Sequence, residues 1–296
     1  MTLEHAPMTL HQQVYEFLRR TGKRPKKRLG QNFLIDRNAL PCIAKAAELT
    51  KEDVVLEIGA GLGCLTAALG AAAKKVIGVE IDTDLYAELQ KEFENHPRIA
   101  LVQADILRLN LCAILNDFPR HQTKVVGNLP YNITTPILWK LLEHYKQIGM
   151  CVLMMQAEVA QRIVASPGGK DYGALSIGIS YRSDAEIIRH FSPHQFYPVP
   201  LVNSSLLKLK ILENPRVELA NESLFFRIVR AAFQFRRKML RNAILSSSIS
   251  VSPRLLDKVF DKLGIDGQRR GETLDVGEFA SLTNCINQEL DDYSRN

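Results

Sequence analysis

Apolar residues occur along this chain in short runs, separated by segments with the polar and apolar spacing of helices. Five of these runs are nearly continuous and predict buried strands, at residues 54–58, 76–80, 99–102, 124–127 and 151–155. Strands that are buried on both faces and separated by helices are typical of parallel sheets. The pattern therefore predicts an α/β fold, and the alternating residues 205–211 predict a half-exposed strand that closes the sheet.

The N-terminal segment has a different pattern. Its apolar residues have the spacing of a short amphipathic helix, at Leu10, Val14, Phe17 and Leu18. Residues 19–28 follow, with seven bases and no acid. A run of like charges is usually solvated, but it also suits a polyanionic partner. We interpret residues 1–28 as a basic leader.

Beyond Asn214-Pro215 the chain becomes helical in character. Apolar residues with helical spacing predict helices in three stretches, at residues 224–245, 253–263 and 276–290. We therefore divide the chain into the leader, a catalytic α/β domain over residues 29–213 and a small helical domain over residues 214–296.

Composition narrows the classes of protein to which the chain can belong. Its 296 residues carry a formal charge of +6, which favours a polyanionic partner. No apolar run of about 18 residues is present, so a membrane-spanning helix is not expected. The 5 cysteines are scattered, without a C-x-x-C pair or a metal-like spacing to histidine. We therefore expect free thiols, a cytoplasmic protein and no bound metal.

A nucleotide-like cofactor is predicted at the carboxyl end of the first strand. That strand runs into a turn in which Gly59 and Gly61 let the backbone approach a ligand closely. Glu80 ends the second strand, where a carboxylate can accept hydrogen bonds from ribose hydroxyls. The arrangement fits S-adenosylmethionine (SAM) or a dinucleotide, although Cys64 stands where a dinucleotide fingerprint has glycine or alanine. Asp105, after the third strand, favours SAM because it can accept from an adenine amine, and it also suits a helix N-cap.

The segment Asn128-Leu129-Pro130-Tyr131 directly follows the fourth strand. The lone pair of an adenine amine is delocalised into the ring, and two acceptors that hold its N–H groups would localise that pair. The Asn128 side-chain oxygen and the Leu129 carbonyl can be those acceptors, while Pro130 stiffens the turn and Tyr131 offers a ring for stacking. Phe196, in a second turn rich in proline, is expected either to pack in the core or to cover the other face of the base. The segment predicts methyl transfer to adenine.

Together these residues resemble the KsgA-type family of rRNA adenine N6,N6-dimethyltransferases, which is related to the Erm methyltransferases. The resemblance is carried by ordered motifs, which are KRLGQNFL at residues 27–34, EIGAGLG at 57–63, NLPYNITTP at 128–136, FYPVPLVNS at 196–204 and FQFRRKMLRN at 233–242. It implies a Rossmann-like sheet of the class I SAM-dependent methyltransferases, followed by a small C-terminal α-helical domain. It also implies a set of SAM contacts, namely Asn32, Leu34, Gly59, Gly61, Glu80, Asp105 and Asn128.

The resemblance implies a substrate as well. The Leu129 form of the catalytic motif and the Thr135-Pro136 that follows it favour modification of small-subunit rRNA over the resistance enzymes. We expect two neighbouring adenines in the 3′-terminal hairpin of 16S rRNA to receive two methyls each, within an immature 30S-like subunit. We also expect a monomer with no membrane partner. Three alternatives stay open, which are an Erm-type enzyme acting on large-subunit rRNA, a non-catalytic assembly or transcription factor on the same fold, and an NAD-dependent oxidoreductase.

Two clusters of basic residues are expected to contact RNA phosphates. One lies in the leader, and the other lies between Phe225 and Leu245, where there are six basic residues and no acidic residue. The residues selected from the two clusters are Lys26, Lys27, Arg28, Arg236, Arg237, Lys238 and Arg241. A solvated helix face is the alternative interpretation of the second cluster. The adenine itself must be unpaired or flipped out to reach Asn128.

Overall fold

The computed structural model describes residues 8–235 and 237–295, which form two compact units. The first unit runs to Ala160 and resumes over Ala185–Glu213, and the second contains Gln161–Asp184 and the chain from Asn214 onward. This division differs in two places from a catalytic domain over residues 29–213. The helix of the leader belongs to the first unit, and residues 161–184 belong to the second.

The first unit is built around a large sheet of seven strands and a small sheet of two. The strands of the chain are β1 (Phe33–Leu34), β2 (Val54–Ile58), β3 (Lys75–Glu80), β4 (Ile99–Gln103), β5 (Thr123–Asn128), β6 (Met150–Gln156), β7 (Ser183–Phe191), β8 (Phe196–Tyr197) and β9 (Ser204–Ile211). In the large sheet the order is β4-β3-β2-β5-β6-β9-β7, and β1 pairs with β8. Adjacent strands from β4 to β6 are parallel, which confirms the predicted α/β fold.

The central strands bring their carboxyl ends to one edge of the large sheet. All residues of β2 are buried, as expected for a strand covered on both faces. Its last residue, Ile58, is aligned with Val79 of β3 and with Gly127 of β5. The residues that follow these strands therefore lie side by side at the edge where open α/β sheets bind their ligands.

The half-exposed strand predicted over residues 205–211 is in fact nearly all buried. β9 runs antiparallel to β6 and lies between β6 and β7, and Lys210 is its one exposed residue. The buried Lys208 pairs its ammonium group with the Glu48 carboxylate. The alternation of the strand therefore reflects a lysine whose apolar stem is covered by protein while its charge finds a partner. The edge strand β7, next to β9 in the sheet, has a polar sequence and was not predicted.

The helices confirm most of the helical pattern. They are α1 (Leu10–Thr21), α2 (Ala39–Ala46), α3 (Cys64–Ala72), α4 (Thr83–Glu92), α5 (Leu111–Leu115), α6 (Thr134–Glu143), α7 (Ala157–Ile163), α8 (Ala174–Arg182), α9 (Glu222–Gln234), α10 (Leu240–Leu245), α11 (Pro253–Leu263) and α12 (Val276–Arg295). Helix α1 is the one predicted in the leader. Thr9 and Gln12 form a capping box at its N-terminus, and Leu10, Val14 and Phe17 are buried.

The second unit has its own helical core. Tyr172, Ile177 and Tyr181 belong to the buried cluster of that core, which explains why residues 161–184 are part of this unit. The single helix predicted over residues 224–245 is interrupted between α9 and α10. The interruption has a physical cause: the Leu240 and Arg241 amides donate to the carbonyls of Arg269 and Gly267 at 2.7 and 3.1 Å, and they do not continue α9.

Neither a membrane span nor a metal site is found among the described residues. No helix in residues 8–235 or 237–295 is long and apolar enough to cross a membrane. The same residues contain no group of histidine, cysteine, aspartate or glutamate side chains that could hold a metal ion. All 5 cysteines are free thiols.

Candidate active site

A cleft lies at the carboxyl edge of the large sheet, within the first unit. Its walls are the segments that follow β2, β3, β4 and β5, together with residues 29–34 and Val14 of α1. All seven residues predicted to bind SAM line this cleft, namely Asn32, Leu34, Gly59, Gly61, Glu80, Asp105 and Asn128. The parallel strand order therefore brings four separate parts of the sequence together, and residues 29–34 complete the cleft.

The turn after β2 is held to the end of β3 by the Glu80 carboxylate. Its two oxygens accept hydrogen bonds from the backbone amides of Gly61, at 2.9 Å, and Asp82, at 2.8 Å. Gly59, Gly61 and Gly63 have positive φ, and a Cβ atom on Gly63 would lie 2.6 Å from the Phe93 ring. Burial raises the pKa of Glu80. The turn thus presents backbone and a preorganised acceptor to the cleft.

Asp105 begins a turn over residues 106–108 and not the helix that its sequence position suggested, and its contact with an adenine amine stays a prediction. Its Oδ1 accepts from the Leu107 amide at 2.9 Å, as the side chain that begins a helical turn does. Its Oδ2 lies 3.8 Å from Nε of Arg108. The residue also lines the cleft, so the turn fixes a carboxylate in the cleft wall.

Glu57 is a cleft residue that the sequence interpretation missed as a functional group. It is 1% exposed, and neither carboxyl oxygen has a hydrogen-bond partner in the described part of the chain. Burial raises the pKa of Glu57 to about 8, while the nearby Thr66 hydroxyl lowers this pKa and the Glu80 charge raises it, each to a smaller extent. Buried polar atoms are rarely left without partners, so this carboxyl group can accept from a ligand or from the nearby Thr66 hydroxyl, which is buried without a partner as well. An acid inside an otherwise apolar strand was the available signal.

The predicted catalytic segment begins at the last residue of β5. The Asn128 side-chain amide donates to the backbone carbonyl of Asn32, with 2.9 Å between Nδ2 and O. The Leu129 amide donates to the Met154 carbonyl at 2.9 Å, and the Leu129 side chain is buried. The Pro130 carbonyl accepts from the Ile133 amide and the Thr134 hydroxyl. The side chain of Asn128 and the turn after it are therefore both fixed.

Tyr131 is half-buried and attached to β9. Its hydroxyl oxygen lies 2.6 Å from Oγ of Ser204, which is fully buried at the first position of that strand. Burial raises the pKa of Tyr131. The phenol is thus a neutral group whose ring orientation is set by the serine.

Phe196 lies in the core and does not line the cleft. Its side chain is fully buried in the hydrophobic cluster of the first unit. It pairs with Leu34 through the small sheet, where Tyr197 pairs with Phe33. Of the two roles expected for Phe196, packing is therefore the one found, and in this conformation its ring offers no face to a base.

Basic residues of the leader form ion pairs within the first unit. The Lys26 ammonium lies 2.9 Å from Asp82 and 3.0 Å from Asp84, and hydrogen bonding to Asp82 raises the pKa of Lys26. Arg20 pairs with Glu88 on the same helix, α4. Lys27 and Arg28 are exposed. The predicted phosphate contact at Lys26 therefore competes with two carboxylates, whereas its two neighbours face solvent.

In the second unit the basic residues predicted to bind RNA also differ from one another in their contacts. Arg241 makes a bidentate ion pair with Asp257, with N–O distances of 2.6 and 2.8 Å. Arg237 and Lys238 are exposed, and the Lys238 ammonium lies over the Phe235 ring at 4.6 Å. The prediction for Arg236 lies outside the described residues.

The sequence of this chain is similar to known methyltransferases over most of its length. A family model described as Ribosomal RNA adenine dimethylase matches residues 22–288. A Clostridium botulinum (strain Loch Maree / Type A3) protein named Ribosomal RNA small subunit methyltransferase A is 42% identical over 260 residues, which are 88% of this chain and 93% of that protein. A protein of the same name from Alkaliphilus oremlandii (strain OhILAs) is 40% identical over 279 residues, covering 94% of this chain and 95% of its own.

Two solved structures are similar as well. A dimethyladenosine transferase from Plasmodium falciparum is 26% identical, with a TM-score of 0.75, and the match covers 87% of this chain and 98% of that one. The 23S rRNA methyltransferase ErmE is 27% identical, with a TM-score of 0.64, and the match covers 86% of this chain and 100% of that one. The similarity therefore includes both the sheet and the helices that follow it.

Proposed function

Because the chain belongs to the ribosomal RNA adenine dimethylase family, we propose that it transfers methyl groups from SAM to adenine amines of small-subunit rRNA. Its targets are two neighbouring adenines in the 3′-terminal hairpin loop of 16S rRNA, each of which receives two methyls. The observation that carries the proposal is the Asn128 side chain, held by the Asn32 carbonyl in the wall of a cleft that fits SAM.

The residues of the cleft fit SAM by their chemistry. Glu80 and Asp105 supply carboxylates for the ribose hydroxyls and the adenine amine, and apolar side chains such as Ile106 also line the cleft. The Glu57 carboxyl group lacks a partner, and a cofactor with an ammonium and a sulfonium group supplies cations that suit it. When bound, SAM supplies an activated methyl group on sulfur.

The chain contributes two fixed acceptors to the reaction. The Asn128 side-chain oxygen and the Leu129 carbonyl accept the two N–H groups of the adenine amine, which draws the nitrogen toward tetrahedral geometry and localises its lone pair. As the nitrogen attacks, positive charge develops on it, and these carbonyl dipoles stabilise that charge without reorganising. A strong base is not needed, because the amine becomes acidic once it is alkylated. Holding the reacting groups in line supplies most of the remaining rate acceleration.

Tyr131 orients the target adenine. The space around Asn128 determines how many methyl groups are added. The Tyr131 ring supports one face of an adenine that has left its stack. A monomethylated amine keeps only one N–H to donate, so the second transfer depends on room for the first methyl beside Asn128.

RNA contacts in this proposal come from the exposed basic side chains. Lys27, Arg28, Arg237 and Lys238 contact phosphates and set the register of the RNA, which makes affinity fall with salt. The substrate is an immature small subunit in the cytoplasm, where the hairpin loop already holds its adenines unpaired.

Transfer of labelled methyl groups from SAM tests the proposed function. The substrates are immature small subunits from cells that lack the gene and, for comparison, protein-free large-subunit rRNA. The proposal predicts labelled adenines only with small subunits. Label in large-subunit rRNA would support Erm-type activity, and the absence of transfer to either RNA would support a non-catalytic role.

A further inference from the structure

Residues 198–202, which we call the apolar loop, expose three aliphatic side chains to solvent. Leu201 is 101% exposed, Val199 is 54% exposed and Val202 is 44% exposed. Single exposed aliphatic residues are common, but three within four positions make a patch, and patches of this kind mark binding surfaces. Pro198 and Pro200 alternate with these residues and fix their own φ angles, so the loop loses little conformational freedom when it binds.

One end of the apolar loop is attached to a residue that lines the cleft, and the other end is attached to Tyr131 of the predicted catalytic segment. On one side Tyr197 pairs with Phe33, which lines the cleft. On the other side Ser204 is hydrogen-bonded to Tyr131 at 2.6 Å, and the Asn203 carbonyl accepts from the Ala157 amide at 2.9 Å. The loop is therefore held beside the residue on which the target adenine stacks.

Charge distinguishes the apolar loop from the basic segment near the same motif. Residues 196–205 contain no charged side chain. By contrast, the Asn132 side chain, next to Tyr131 in sequence, donates to the carbonyl of Arg28, which belongs to the exposed pair Lys27 and Arg28. Tyr131 therefore has a cationic neighbour suited to phosphates and an uncharged apolar neighbour suited to the faces of bases.

We propose that the apolar loop binds the faces of unpaired bases that flank the target adenine, with Leu201 as its principal contact. The proposal rests on the proposed function and extends it to the nucleotides outside the catalytic pocket. Bases in an RNA loop are unstacked, and their faces are apolar surfaces that an aliphatic side chain can cover. The backbone phosphates of the same strand run along the Lys27 and Arg28 side of the cleft.

Steady-state methylation of immature small subunits by Leu201→Asn and Leu201→Met tests this proposal. The two side chains are similar in size, and only Leu201→Met remains apolar. Leu201→Asn is expected to raise KM for the subunits by about five- to tenfold, the weakening expected when one aliphatic side chain no longer covers a base. The kcat value and SAM affinity should be unchanged, and Leu201→Met should match the parent. Val164→Ser, which changes an exposed valine of the second unit, serves as a further control.

A photocrosslinking amino acid at position 201 identifies the partner directly. Crosslinks to nucleotides adjacent to the methylated adenines support the proposal. Crosslinks to a ribosomal protein, or an unchanged KM in Leu201→Asn, overturn it while the parent protein still methylates the subunits. Failure of the proposed function gives a different result, because the parent protein itself then transfers no methyl groups.

Discussion

The Nδ2 atom of Asn128 donates to the backbone carbonyl of Asn32 at 2.9 Å. A side-chain amide has one donor end and one acceptor end, and this bond commits the donor end to the protein. The oxygen is then the end that remains to accept from a substrate amine. A residue of the N-terminal motif thus decides which way the amide of the catalytic motif faces, before any ligand binds.

Asn128→Asp tests this orientation with almost no change in size. A carboxylate cannot donate to the Asn32 carbonyl, and two oxygens that face one another repel, so the side chain turns and its acceptor is displaced. We expect kcat to fall by roughly two to three orders of magnitude, as for the removal of one preorganised polar group. SAM binding, measured by calorimetry, should stay within about threefold of the parent. Near-normal kcat in this variant would remove Asn128 from the mechanism.

Ser204 is expected to act through Tyr131. Tyr131→Phe and Ser204→Ala each remove one side of the same hydrogen bond, so each should lower kcat/KM by about three- to tenfold. Because the two changes break one interaction, the double variant should be no slower than the slower single variant. Ser205→Ala is the matched control, because that hydroxyl lies 2.8 Å from His190 instead. Additive effects of the two changes would show that the serine and the tyrosine act separately.

Glu57 is expected to make the stability of the ligand-free protein depend on pH. Burial raises its folded-state pKa to about 8, above its value in the unfolded chain. The folded state therefore holds the proton more tightly, and the free energy of unfolding falls as the pH rises between the two pKa values. Glu57→Gln lacks this titration. Its stability relative to the parent should increase from pH 5 to pH 8 and then level off, as measured by urea unfolding at several pH values. A constant difference would mean that Glu57 is ionised throughout.

Glu80 is expected to determine the affinity for SAM. Its carboxylate holds the Gly61 and Asp82 amides, and it is also the group proposed to accept from ribose. Glu80→Ala should raise the Kd for SAM by about ten- to a hundredfold, which corresponds to roughly 1.4 to 2.8 kcal/mol. Glu94→Ala changes an exposed acid of the same unit and should leave the Kd unchanged. An unaltered Kd in Glu80→Ala would show that the ribose contact is misassigned.

The exposed basic side chains of the second unit should determine how RNA binding responds to salt. Replacing Arg237 and Lys238 with alanine is expected to flatten the plot of log affinity against log salt by about 0.7 to 0.9 for each phosphate that the protein no longer neutralises. Arg241→Ala is the control, because its guanidinium is already paired with Asp257. An equal change of slope in the control would contradict the assignment of RNA contacts to the exposed residues.

The sequence predicts those features that depend on single elements. Continuous apolar runs locate β2, β3, β5 and β6, because a strand buried on both faces has few polar positions to alternate. The run at β4 also forms a strand, but its residues are only partly buried because it lies at the edge of the sheet, so the prediction of a buried strand there is wrong. Glu80 and Asn128 could be placed in the cleft from the sequence because each is the last residue of a parallel strand. The order of the strands then brings these ends to one edge of the sheet.

Features that depend on distant partners could not be predicted in this way. The bond between Asn32 and Asn128 joins residues 96 positions apart. Lys26 forms an ion pair with Asp82, and Arg241 forms one with Asp257. No local sequence pattern links either basic residue to its acidic partner. The burial of Phe196 follows from the pairing of β8 with β1, two strands of two residues that are too short to show periodicity.

Mapping of N6-methylated adenines in rRNA from cells that lack the gene tests the proposed methyl transfer most directly. We predict that two neighbouring adenines in the 3′-terminal hairpin of 16S rRNA lose their methyl groups. The parent gene should restore them, whereas Asn128→Asp should not. An unchanged methylation pattern in the deletion strain, or full restoration by Asn128→Asp, would contradict both the substrate and the role of Asn128.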